Sequence, residues 1–147
     1  MKGLSVSKKF PTWHRSAGNQ PTMFFDHIIS GKKIHTIRAN AKGYYKDGDV
    51  VQITQWSGAP YRSKVEKTGV VIRIGLEPVT LALLDNGTLS ATVGFKTVLP
   101  VRLAQNDGLP LERFIDWFFP LRKPGIFKGS IVHFSSFRYS KGTNEKA

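Results

Sequence analysis

The chain contains no cysteine. Disulfides, thiolate nucleophiles and cysteine-based zinc sites are therefore excluded. No apolar run approaches the roughly 20 residues that span a bilayer as a helix. Residues 1–10 mix lysines and serines with single apolar side chains and lack the apolar centre of a secretion signal. A soluble, cytoplasmic protein is expected. The sequence has no phosphate-cradling GxxxxGK, no nucleophile elbow and no internal repeat. Two histidines, His35 and His133, stand far apart with no third ligand at a diagnostic spacing, so neither a metal nor another cofactor is expected. Acidic residues are scarce: 10 Asp and Glu stand against 22 Lys and Arg, a formal charge of +12. Such an excess points to a polyanionic partner, chiefly nucleic acid.

What is present suits one α+β domain over residues 1–139. The length of 147 residues is that of a single domain, and 40% hydrophobic residues suffice for a core. Residues 22–30 carry Phe24, Phe25, Ile28 and Ile29 on one helical face. Thr22 is placed to cap that helix, and Gly31 to close it in the left-handed conformation. A second helix follows Asn106-Asp107-Gly108-Leu109-Pro110, with Leu111, Phe114, Ile115 and Phe118 at i, i+3, i+4 and i+7. Pro110 fits its first turn and Pro120 stops it. Strands are expected at residues 5–7, 50–56, 69–74, 99–103 and 130–134, the one at 69–74 buried. Asp85-Asn86-Gly87 joins 79–84 to 88–93 in the clearest hairpin, read as an excursion from the main body. Residues 39–43 and the basic stretch 124–129 read as loops, and 140–147 as a polar tail.

The densest chemistry lies in Gly31-Lys32-Lys33-Ile34-His35-Thr36-Ile37-Arg38. As ordinary structure, this is a helix end leading into a strand, with lysines at the negative end of the helix dipole. As a site, it combines ammonium groups, a hydroxyl and a guanidinium fork, which suits an anion or nucleotide. Strict alternation puts Lys33, His35 and Ile37 on one face and Ile34, Thr36 and Arg38 on the other. Lys33 and Thr36 reach one pocket only if a turn or bulge separates them. Aromatic and basic residues also interleave at Trp13-His14-Arg15 and at Tyr61, Arg62, Lys64 and Lys67. Such pairs can stack on bases and hold phosphates, or simply plug the fold and face solvent.

The string from Gly31 to Arg38 resembles the signature of the ASCH domain, whose pattern runs roughly Gly-Lys/Arg-Lys-Thr-x-Thr-Ile-Arg. The resemblance continues in order through Lys46-Asp47-Gly48-Asp49-Val50-Val51, Asn106-Asp107-Gly108-Leu109, Phe114-Ile115-Asp116-Trp117-Phe118 and Ile131-Val132-His133-Phe134. It thus covers most of the chain, from about Phe24 to Phe134. It implies a small PUA-like mixed β-barrel with two flanking helices. One branch of that family is an amidohydrolase that deacetylates acetylated cytidine with a Lys, a Thr and a Glu. By motif the Lys falls on Lys33 and the Thr on Thr36. The acidic position falls on Asp107, one methylene shorter than Glu, and Ile34 stands where that branch carries Thr.

Three functions follow. The first is binding of RNA or a nucleotide in a basic cleft, with Lys32, Lys33, Thr36 and Arg38 at the floor, Tyr61, Arg62 and Lys64 at the rim, and Trp13 as a stacking ring. The second is hydrolysis of an acylated nucleoside, or of RNA, by Lys33, Thr36 and Asp107. A desolvated Lys loses its proton more readily and can serve as a base. The third is a non-enzymatic module whose loops contact a protein partner.

Overall fold

The computed structural model describes residues 1–58 and 63–141. Among these, eight strands form two separate sheets, and four short helices pack around them. The architecture is α+β.

The smaller sheet contains β1 (Lys2–Val6), β3 (Val50–Trp56) and β4 (Val65–Arg73), in the order β1-β3-β4. β1 runs parallel to β3, pairing Leu4 with Ile53, and both side chains are fully buried. The strand expected at residues 5–7 thus begins earlier and does form an edge. β4 corrects the expectation of a buried strand at 69–74. It is the other edge of this sheet, exposes Val71 and alternates half-buried with exposed positions. An edge strand with one solvated face needs only every second side chain apolar. Ile74, buried, lies just past its end.

The larger sheet has the order β2-β8-β5-β6-β7, built from β2 (His35–Arg38), β5 (Gly75–Leu83), β6 (Leu89–Val93), β7 (Lys96–Val98) and β8 (Gly125–His133). The expected hairpin is present: Leu84 N–H donates to the Thr88 carbonyl, and Gly87 takes a φ of 84° that glycine adopts without penalty. Its strands lie within this sheet, with β5 paired along its whole length to β8. Val79, Leu81 and Leu83 point inward beside Leu89, Ala91 and Val93. β8 starts within the stretch read as a basic loop. Gly125, Lys128 and Gly129 hid a strand whose buried half, from Ser130 to His133, lies in its last four residues.

Helix α1 (Phe24–Ser30) buries Phe24 and Ile28 but leaves Ile29 exposed, so its apolar face is narrower than its composition implied. Met23, not Thr22, takes the cap position, with a φ of 61° and no side-chain cap bond; the Thr22 hydroxyl, one residue earlier, accepts the Phe24 N–H at 3.2 Å. Gly31 closes it with a φ of 83°. A short helix α2 (Ala41–Tyr44) occupies the segment expected to be a loop. The expected strand at 99–103 is instead helix α3 (Pro100–Asn106), with Pro100 in the first turn and Leu103 and Ala104 buried. The local run Val-Leu-Pro-Val-Arg-Leu looks extended, but proline's fixed φ equally suits a helix start. Helix α4 (Leu111–Phe118) carries the expected stripe, with Phe114 and Ile115 buried and Leu111 and Phe118 packed at the core's margin. Among the described residues, no helix is long and apolar enough to cross a membrane.

Candidate functional site

Lys33 reaches the interior because the chain turns before the strand begins. Gly31 ends α1, the Lys33 N–H donates to the His27 carbonyl, and the Ile34 N–H donates to the Asn106 carbonyl. Regular pairing of β2 to β8 starts only at His35. This is the helix-to-strand turn that simple alternation required. Lys33 and Asp107 face each other in an isolated antiparallel bridge. The Lys33 ammonium donates to the Asp107 carbonyl at 2.8 Å and to Asp107 Oδ1 at 3.2 Å. It also lies 4.5 Å from the centre of the Phe24 ring.

Both partners are buried, Lys33 to 2% exposure and Asp107 to 4%. Burial pushes the Lys33 pKa below its ordinary value, against the opposing charge and hydrogen bond of Asp107; the nearby Arg38 charge adds to the lowering. Gly108, next along the chain, has a φ of 82°, and a Cβ there would come within 3.0 Å of Lys33 Cβ. The close approach of backbone to lysine stem therefore depends on glycine.

Behind this pair runs a polar chain, buried from His35 to Tyr139. His35 Nδ1 lies 3.2 Å from Asp107 Oδ1 and donates to it. His35 Nε2 lies 2.7 Å from the Tyr139 hydroxyl, which in turn accepts from Asn106 Nδ2 at 2.9 Å. With Nδ1 donating to the Asp107 carboxylate and burial favouring the neutral ring, Nε2 is an acceptor and the Tyr139 hydroxyl donates to it. That fixes the neutral imidazole with its proton on Nδ1. Burial lowers the His35 pKa, and Asp107 only partly offsets this. His133 stands beside His35 with ring centres 5.6 Å apart and donates to Glu77 Oε1 at 2.7 Å. Glu77 also accepts the backbone N–H groups of Tyr139 and Ser140. The two histidines are therefore close in space, but each is committed to its own carboxylate. Among the described residues, no group of three or more His, Asp and Glu is placed to hold a metal ion.

Above the lysine opens a cleft of about 250 Å³. It lies where the edge strands β1 and β2 of the two sheets meet, tied by Arg38 donating to the Ser5 carbonyl at 2.5 Å. Lys33, Thr36, Arg38 and Asp107 all line it, together with Phe24, Trp56, Trp117 and Phe118. The cleft is thus basic and hydroxylic at its base and aromatic on its walls. Trp117 is held from behind by Phe10 and Phe24, each with ring centres 5.6 Å away.

The remaining residues singled out in the sequence lie elsewhere. Lys32 is exposed at the end of α1 and does not line the cleft. Trp13 is half-exposed, outside the cleft, and packs edge-on against Trp117 at 6.3 Å. Lys64 is exposed at the start of β4, where its carbonyl accepts the Ser57 N–H. Tyr61 and Arg62 lie outside the described residues. Trp56, Trp117 and Glu77 are not singled out by the sequence as parts of a site, and His35 is weighed there only as a metal ligand. The one available signal was Trp117, a large ring lying off the apolar stripe of α4. The chain was compared with models of known families, with curated proteins and with solved structures, and it matches none of them.

Proposed function

We propose that the chain is an ASCH-type, PUA-like domain that binds RNA or a nucleotide in the cleft above Lys33. The observation that carries this reading is the convergence of Lys33, Thr36 and Arg38 with Trp56, Trp117 and Phe118 in one small cleft. Aromatic walls take the faces of a base, and stacking of this kind is tolerant of base identity. Arg38 supplies a planar cation suited to phosphate. The net charge of +12 favours approach of a polyanion.

The test is a titration with single-stranded RNA at low and moderate salt, using wild type and a Lys33→Met/Arg38→Ala double variant. Affinity should fall steeply with salt in the wild type. The variant should bind more weakly and with a shallower salt slope. Binding that survives in the variant at full strength sinks this placement of the site. Unfolding midpoints of both proteins guard against a folding defect.

A second reading is favoured by one specific feature. Lys33 is a buried lysine of lowered pKa, in contact with a carboxylate, and it shares its cleft with Thr36. In a hydrolase of acylated nucleosides, neutral Lys33 accepts the proton of the Thr36 hydroxyl as its oxygen attacks the acyl carbonyl and returns that proton to the leaving amine; water then cleaves the acyl ester on Thr36 to release the acid, while Asp107 orients the lysine. Turnover of acetylcytidine by wild type, abolished in Lys33→Met, is the expected result. No turnover at high enzyme concentration removes this substrate.

A further inference from the structure

A second hollow, about 530 Å³, adjoins the first. Ser5, Arg38 and Trp56 line both, so the two hollows adjoin along these residues and form one trench with Arg38 and Trp56 at the junction. The far side of the second hollow is aromatic. Tyr45 is buried and fixed by its hydroxyl donating to the Gly3 carbonyl at 2.7 Å. Tyr44 stands edge-on to it with ring centres 4.7 Å apart and is 55% exposed. The Lys2 ammonium sits 5.2 Å from the Tyr44 ring centre and donates to the Tyr44 carbonyl. Nothing in the reading of the first cleft uses this hollow.

We infer that the trench takes two consecutive nucleotides of a single strand, one base in each hollow, with Arg38 at the phosphate that joins them. This rests on the nucleotide-binding reading of the first cleft and extends it. The order aromatic hollow, cation, aromatic hollow repeats the order base, phosphate, base. The first hollow falls below the ~300–1,000 Å³ of pockets that enclose whole drug-sized ligands, so it holds a single ring system and little more. A mononucleotide would therefore leave the second hollow unused. A polyphosphate fits it poorly, because its lining offers tyrosine rings and one shared arginine in place of a cluster of cations. Lys2 reinforces Tyr44 as a surface for stacking: a cation on one side of the ring and a base on the other both meet a π face.

The experiment measures the affinity of the full chain for three sets of ligands: 5′-mononucleotides, nucleoside 5′-triphosphates, and the dinucleoside monophosphates ApA, CpC, GpG and UpU. The best dinucleotide is expected to bind at least about tenfold more tightly than the best mononucleotide, the size of one added stacking contact. Tyr44→Ala is expected to erase that gain. Because Tyr44 is exposed, the variant should keep the wild-type unfolding midpoint. Mononucleotide binding that depends on Lys33, with no gain from the second nucleotide, overturns the two-nucleotide trench and leaves the proposed function standing. A gain matched by triphosphates shows that the second hollow takes phosphate, and also overturns it. Failure of wild type to bind any of the three sets overturns the nucleotide-binding reading and the trench with it.

Discussion

Asp107→Asn tests the electrostatics of the site most directly. The substitution keeps the side-chain volume and one carbonyl oxygen, but removes the charge to which both Lys33 and His35 bond at 3.2 Å. Lys33 is 2% exposed, and burial already lowers its pKa against the pull of Asp107. Without the carboxylate, the ammonium is left buried with no counter-charge. Breaking a buried pair from one side costs about 3–5 kcal/mol. Release of the lysine proton limits that cost, since one pH unit corresponds to about 1.4 kcal/mol. A lysine whose folded pKa is lowered binds fewer protons folded than unfolded at intermediate pH. Stability of the variant should therefore rise as pH increases toward about 10.4, where the unfolded lysine also loses its proton. Adding Lys33→Met removes the stranded cation, so the double variant should be more stable than Asp107→Asn alone. The assay is urea unfolding followed by tryptophan fluorescence at pH 7 and pH 9, on wild type, both single variants and the double. A coupling energy of about 2 kcal/mol or more between the two sites is expected. Additive losses, or an Asp107→Asn variant as stable as wild type at pH 7, would refute the view of Lys33 and Asp107 as a buried charge pair.

The Glu77 carboxyl would be raised by burial, but hydrogen bonds from His133, Ser140 and Tyr139 outweigh this and lower it from 4.5 to about 2. Below pH 4.5 the unfolded chain takes up a proton that the folded chain does not. Stability should thus fall as pH drops from 4.5 toward 2, by up to about 3 kcal/mol. His35, held below 6.5 by burial, contributes a loss of the same sign starting from pH 6.5 downward. Urea midpoints measured from pH 7 to 3 should show this acid limb, flattened below 4.5 in Glu77→Gln; an identical limb in the variant contradicts the assignment. Tyr139→Phe leaves His35 Nε2 buried without its donor and should cost about 1–3 kcal/mol in the same unfolding assay, whereas a loss under about 0.5 kcal/mol would mean that the hydroxyl does not hold the imidazole. A Cβ at Gly129 would lie 2.6 Å from the Arg38 carbonyl, which is backbone, while one at Gly75 would meet only the tip of the Arg138 side chain. Gly129→Ala should therefore destabilise by about 1–3 kcal/mol and Gly75→Ala by clearly less, as read from thermal midpoints; the reverse order defeats the argument.

The parts of the fold that local spacing determines were readable. The stripe of α4, the Asp-Asn-Gly hairpin and the closure of α1 at Gly31 each depend on residues adjacent in sequence. Elements whose character is set by tertiary placement were not. Residues 100–106 became a helix although their local pattern fits a strand, and Gly125 to Gly129 joined a central strand despite their turn-like composition. Within the site, the residues of the Gly31–Arg38 stretch that line the cleft were legible as chemistry, since a lysine, a hydroxyl and a guanidinium announce themselves. Lys32 shows the limit of that signal: the same residue type, one position earlier, faces solvent. Asp107 looks like an ordinary turn residue, and only its position across from Lys33 makes it a buried counter-ion. Trp56 sits at the end of one strand and Trp117 on a helix more than 60 residues away, and no spacing rule relates them.

The parallel docking of β1 on β3 bears on how the protein comes to be functional during folding. Leu4 must wait for Ile53, and Ser5 for Arg38, before the first strand has a place to settle. Lys33 likewise meets Asp107 only across a sequence separation of 74. Contacts of such long sequence separation form late and slowly, because loop-closure entropy is spent before they reward it. The cleft therefore belongs to the last-assembled part of the molecule. Its lining runs from Ser5 to Phe118, so no short fragment contains it, and a partly folded intermediate should have its hairpins in place while the cleft is still unformed.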